Sequence, residues 1–207
     1  MTADKPAIRL VIFDMDGVLD HYDLGARLDR LAAVTGKSAD TIHAAIWKSG
    51  FEDAADAGKF SAEEYLEGFA ERVSAPVSRA AWIAARRAGM HPDRDVLELA
   101  KHLKRRADIA VLTNNGFLVK DAFGELFPEL PPLFGERLHV AAEFGAKKPD
   151  PEVYRRLVAR HGIAPEMAMM IDDKPENVEG AEMAGLVGHR FAGIEGLKWE
   201  LRARGLL

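Results

Sequence analysis

Apolar residues follow two regimes along the chain. Between residues 24 and 89 they recur at helical spacing: Leu24, Leu28 and Leu31 form one set, Ile42 and Ile46 another. Tyr65, Leu66, Phe69 and Val73 form a third, behind Ser61-Ala62-Glu63-Glu64, which reads as a capping box. No strand pattern interrupts this stretch, and Gly89 followed by Pro92 ends its last helix. Outside it, short apolar runs alternate with helical segments. Val11-Ile12-Phe13 is the first run; helix 93–106 leads to strand Ile109-Ala110-Val111-Leu112, and helix 117–126 leads to a proline-rich turn at Pro128, Pro131 and Pro132. A short strand is expected at Leu138-His139-Val140. Helix 151–161, with Pro151 in its first turn, precedes strand 167–171, and helix 175–185, with Pro175 likewise placed, precedes strand 187–191. Uninterrupted apolar strands alternating with helices predict an α/β fold, a doubly wound parallel sheet covered on both faces. Residues 1–19 and 91–207 are expected to form that core, and residues 20–90 an all-helical insertion.

Composition narrows the function classes. With 207 residues, the chain is long enough for a sizeable core, and its net charge of −5 is spread over 33 acidic and 28 basic residues, with no basic footprint for nucleic acid. Lys104-Arg105-Arg106 reads as a solvated helix end. There is no cysteine, which excludes disulfides and thiolate metal sites. Met1-Thr2-Ala3-Asp4-Lys5-Pro6 lacks an apolar signal core, and no stretch approaches the roughly 18 apolar residues of a spanning helix. A cytoplasmic protein with no membrane partner is expected.

The candidate chemistry lies at the strand ends. Asp14 and Asp16 close the first apolar run ahead of Gly17, which suits a sharp turn. Thr113 and Asn114, Lys148, and Asp172 with Asp173 fall at or just after the ends of later strands. In open α/β sheets that rim is where ligands bind. Carboxylates, a fixed cation and phosphate donors are what phosphoryl transfer needs, and magnesium takes carboxylate oxygen in preference to other side-chain donors. Each segment also has a structural explanation. Thr113-Asn114-Asn115-Gly116 suits a loop, Lys148 and Lys147 the surface, Asp172-Asp173 a helix cap, and Asn177 and Gly180 helix packing. His21 and Tyr22 suit a hinge after the first strand, and Trp47, Phe51, Phe60 and Tyr65 suit a helical core. Glycine spacing at Gly180 and Gly185 lacks the Lys-Ser or Lys-Thr of a phosphate loop, no G-x-S-x-G elbow occurs, and the seven histidines show no zinc spacing.

Asp14-Met15-Asp16-Gly17-Val18, Leu112-Thr113-Asn114, Lys148-Pro149-Asp150-Pro151 and Ile171-Asp172-Asp173 with Asn177 and Gly180-Ala181 resemble, in order and spacing, the four motifs of the haloacid dehalogenase (HAD) superfamily. The resemblance covers the whole chain and implies a Rossmann-like core with a helical cap at residues 20–90 that opens and closes. It also implies a magnesium-dependent phosphatase acting on a small phosphate monoester, closest in layout to sugar-phosphate phosphatases. In that scheme Asp14 attacks phosphorus to form an aspartyl phosphate, and Asp16 serves first as acid and then as base. Thr113, Asn114 and Lys148 bind the phosphoryl oxygens. Mg2+ is held by Asp14, by the backbone carbonyl of Asp16 and by Asp173, with Asp172 on a metal-bound water; two adjacent aspartates leave open which one touches the ion. A phosphomutase is the alternative enzyme, a dehalogenase fits less well because it has no use for an acid at position 16, and a non-catalytic binding module is the alternative outside catalysis.

Overall fold

A computed structural model describes residues 7–207. The expectations for the first six residues lie outside that range. In chain order the elements are β1 (Leu10–Phe13), β2 (Asp20–Tyr22), α1 (Leu24–Thr35), α2 (Ala39–His43), a π-helical stretch (Ala44–Lys48), α3 (Phe51–Asp56), α4 (Ala62–Val73) and α5 (Arg79–Ala88). They continue with β3 (Met90–Pro92), α6 (Arg94–Leu103), β4 (Asp108–Thr113), α7 (Phe117–Leu126), α8 (Leu130–Phe134), β5 (Leu138–Val140), α9 (Pro151–Arg160), β6 (Ala168–Asp172), α10 (Pro175–Met183), β7 (Val187–Arg190) and α11 (Ile194–Ala203).

The main sheet is five-stranded in the order β5-β4-β1-β6-β7. It is the parallel α/β sheet that the alternation predicts. β1 pairs in parallel with β4, Leu10 beside Asp108 through Phe13 beside Val111, and with β6, Leu10 beside Ala168 through Phe13 beside Ile171. As the central strand, β1 is buried along its whole length, and so is β6. This is why both read as continuous apolar runs rather than as alternating ones. Helix starts follow local chemistry: Asp93 accepts from the amides of Asp95 and Val96 at the head of α6, and Pro151 and Pro175 occupy first turns in α9 and α10.

Two compact units emerge. One comprises the residues up to Leu19 with Asp93–Thr113 and Lys148–Leu207; the other comprises Asp20–Pro92 with Asn114–Lys147. In the second, Ser61 caps α4 as a complete capping box, its hydroxyl accepting from the Glu64 amide while Glu64 accepts from the Ser61 amide. Phe51 and Tyr65 are buried and stack with centroids 5.2 Å apart, and Phe60 lies 5.0 Å from Phe51. Among the four aromatics expected in the helical core, Trp47 and Phe60 are half-buried.

The structure departs from the sequence pattern in two places. Asp20–Tyr22 and Met90–Pro92 form an antiparallel pair, Asp20 beside Pro92 and Tyr22 beside Met90, where no strand is expected. The proline-rich segment is not only a turn: Pro131 and Pro132 sit within α8, in the first helical positions, where a missing amide hydrogen costs nothing. Among the described residues, no helix is long and apolar enough to cross a membrane.

Candidate active site

Asp14 owes its position to the ladder rather than to its side chain. Its amide donates to the Ile171 carbonyl at 2.9 Å, which carries the β1–β6 pairing one residue past the strand. Asp172 is the last residue of β6, and its carbonyl accepts from the Phe191 amide at 2.8 Å. Two carboxylates are thus delivered to the same rim by neighbouring parallel strands. Lys148 supplies the cation between them: its Nζ lies 2.9 Å from Asp14 Oδ1 and 2.6 Å from Asp172 Oδ2, and the lysine is 2% exposed. A buried ammonium held by two carboxylates departs from the surface role that Lys148 would have taken alone. Lys147 differs as well: half-buried, it pairs with Asp53 inside the second unit.

The two adjacent aspartates are not equivalent. Asp172 is saturated: besides Lys148, it accepts from the Lys174 amide at 3.0 Å and from Asn177 Nδ2 at 2.9 and 3.1 Å. Asp173 is only half-buried, yet its Oδ1 is a buried atom with no hydrogen-bond partner. Carboxylate oxygens of Asp14, Asp172 and Asp173 lie within 4.8 Å of one another. This donor set fits a hard divalent cation, which prefers carboxylate oxygen and commonly takes one or two protein carboxylates. The partnerless oxygen is the group such an ion would satisfy. Gly17 has a positive φ of 90°, and a Cβ on it would sit 2.8 Å from the Asp173 carboxyl, so only glycine allows the turn after Asp16 to lie against that carboxylate.

Asn177 is therefore more than a helix stabiliser. Its amide nitrogen bonds both Asp172 oxygens, and its carbonyl accepts from the buried Tyr154 hydroxyl at 2.6 Å. Gly180, one turn on, faces the chain just after Lys148: a Cβ there would come within 2.0 Å of the Pro149 carbonyl oxygen. The remaining expected site residues are placed as follows. Thr113 ends β4 and is buried, Asp16 and Asn114 are half-buried, and His21 is exposed on β2. Asp14, Asp172, Asp173, Lys148 and Thr113 belong to the first unit, as does Asp16, whereas Asn114 is grouped with the second.

Electrostatics follow from burial. Burial lifts the Asp14 carboxyl from 3.8 to about 7; Lys148 pulls it down, and Asp172 and Asp16 push it up. Burial also raises Asp173, reinforced by Asp172. Lys148 is raised because its two carboxylates outweigh the desolvation that opposes them. The sign of the linkage is then fixed. Between about pH 4 and about pH 7 the folded protein keeps protons on Asp14 that the unfolded chain has released, so metal-free stability falls as pH rises through that window. Glu143, lowered to about 2, contributes stability that is complete above its ordinary 4.5, so it adds little change between about pH 5 and about pH 7. His189, lowered by burial, opposes the trend as pH approaches its ordinary 6.5. The expected result is a chelator-treated protein whose melting temperature drops between about pH 5 and about pH 7, by a stability loss of a few kcal/mol, with added magnesium reversing the drop. Thermal unfolding with and without chelator checks it, and a rise across the window in chelator contradicts it.

Carboxylates and a buried lysine collected at the carboxyl ends of parallel strands place this chain among α/β enzymes whose chemistry sits on the sheet rim. The chain belongs to the haloacid dehalogenase-like hydrolase family, whose sequence model matches residues 8–185. It is 33% identical over 141 residues to the phosphoserine phosphatase of Thermus thermophilus, covering 64% of this chain and 55% of that protein, so the matched region spans little more than half of that relative. It is 29% identical over 190 residues to phosphatase MT3486 of Mycobacterium tuberculosis, covering 87% of this chain and 85% of that one. Its fold is shared with the HAD family enzyme bt-2542 of Bacteroides thetaiotaomicron, solved in complex with magnesium and inorganic phosphate, with a TM-score of 0.72, 22% identity, and coverage of 91% of this chain and 96% of that one.

Proposed function

We propose that this hydrolase is a magnesium-dependent phosphatase that cleaves a small phosphate monoester through an aspartyl phosphate on Asp14. The observation that carries the reading is the buried Lys148 ammonium bridging Asp14 and Asp172, with an unsatisfied Asp173 oxygen beside them. A carboxylate attacking a phosphate dianion meets like charge, so the site must supply compensating positive charge in fixed positions. Lys148 is held for that task by Asp172, which is itself oriented by Asn177 and the Lys174 amide. Asp14, whose Oδ1 accepts from the Met15 amide at 2.7 Å, presents its other oxygen to phosphorus. Asp16 protonates the leaving alcohol and then takes a proton from the water that cleaves the acyl phosphate. Thr113 donates its hydroxyl to a phosphoryl oxygen, and Asn114 assists through its side chain or amide. Asp14, the Asp16 carbonyl and Asp173 would hold Mg2+, with Asp172 close by; bound there, the ion supplies charge neutralisation and orientation for the phosphoryl group.

Family membership and the phosphatase names of both sequence relatives support this reading, as does the magnesium and phosphate complex of the Bacteroides enzyme. The leaving group is a small alcohol, a sugar or amino-acid hydroxyl being the first to test, and residues 20–90 act as the cap that selects it. In a panel of sugar, amino-acid, nucleotide and aryl phosphates, purified protein is expected to release inorganic phosphate only with magnesium present, and chelation to stop it. Release that survives chelation, or none from any ester, contradicts the proposal.

A further inference from the structure

A buried arginine in the helical insertion has an edge that no protein group satisfies. Arg27 lies on α1 and is 1% exposed. Its Nη1 donates to the Tyr22 hydroxyl at 3.2 Å and lies 3.5 Å from Glu52 Oε1. Nε and Nη2, the two nitrogens of the adjacent edge, are buried and have no hydrogen-bond partner. Glu52 does not reach round to them, because its other oxygen accepts from the Tyr65 hydroxyl at 2.5 Å. Leaving donors of a buried cation unmade costs stability, whereas an apolar side chain among the same aromatics would not.

The surroundings define what could fill that edge. The Arg27 guanidinium carbon lies over the Trp47 ring at 5.0 Å and over the Trp82 ring at 4.9 Å. With indoles packed against the guanidinium, a ligand reaches Nε and Nη2 only in the guanidinium plane. Such a fork matches carboxylate and phosphate alike, each through two parallel hydrogen bonds. Indole faces against the guanidinium leave the in-plane approach, which favours the planar group over the tetrahedral one. Charge agrees: the Arg86 guanidinium carbon lies over the ring of Tyr22 at 4.2 Å, and the Tyr22 hydroxyl accepts from Arg27, so a second cation is nearby to offset an incoming anion beside Glu52.

We propose that the Nε/Nη2 edge of Arg27 is a binding site for the planar carboxylate of a small effector, a site that does not rest on the phosphatase reading. The test needs no turnover: sodium propionate is titrated into the intact protein at constant ionic strength while tryptophan fluorescence is followed. Two of the three tryptophans flank Arg27, so saturable binding changes the signal and sodium chloride does not. In Arg27→Lys, which keeps the charge and loses the fork, propionate binding weakens by about 10-fold or more. Absence of any saturable propionate response in the wild-type protein overturns the proposal even if the variant does not fold, and so does equal propionate binding in a folded Arg27→Lys. Propionate binding in a protein that releases no phosphate from any ester keeps this site and refutes the phosphatase reading instead.

Discussion

Asp14→Asn is expected to lower phosphate release by about 10,000-fold or more while leaving the protein folded. An amide oxygen is not a nucleophile toward phosphorus, so no acyl phosphate forms. The fold survives for reasons visible around the residue. Asparagine has the shape of aspartate, and its oxygen still accepts from the Met15 amide and from Lys148 in place of Asp14 Oδ1. Burial has already lifted the Asp14 carboxyl to about 7, so near neutral pH the folded protein gives up little by losing that charge. Stability is expected to stay within about 1 kcal/mol of wild type. Activity assays and denaturant unfolding on the same preparations check both halves, and near-wild-type turnover would remove Asp14 from its assigned role.

Lys148→Met should lose both. The ammonium is the shared partner of Asp14 at 2.9 Å and of Asp172 at 2.6 Å, in a position with almost no access to water. Removing it leaves two buried carboxylates facing each other, a change that typically costs about 3–5 kcal/mol. Protonation of Asp14 relieves part of this, so the loss is expected to grow with pH. Phosphate release should fall by at least about 1,000-fold, since the proposed scheme relies on this ammonium to neutralise the phosphoryl oxygens. Adding Asp14→Asn to Lys148→Met should restore part of the lost stability and none of the activity, because it removes one of the two orphaned charges. Urea unfolding of the four proteins measures the coupling; strictly additive losses would mean that the pair seen in the structure contributes nothing.

The core was legible because buried parallel strands must be apolar throughout, and polar residues at their ends then stand out. Asp14 after β1, Thr113 at the end of β4 and Asp172 at the end of β6 are all of this kind. The antiparallel pair of β2 and β3 was not legible: Asp20-His21-Tyr22 and Met90-His91-Pro92 are three residues long, largely polar, and meet only because the chain leaves and re-enters the helical region at one place. Which of the adjacent aspartates is free to hold an ion could not be read from spacing, since the answer lies in partners brought by Lys148, Lys174 and Asn177. Arg27 carried a signal that is easy to miss. It stands on α1 in step with Leu24 and Leu31, and a charged residue on an apolar face announces either a partner or a ligand.

The direct test of the account is whether phosphate passes through Asp14. Protein quenched with acid during turnover of a good substrate should yield a peptide carrying one added phosphoryl group at Asp14 by mass spectrometry, and the Asp14→Asn protein should yield none. Turnover with no phosphorylated Asp14 peptide under any quench time, or a phosphoryl group on another residue, would contradict it.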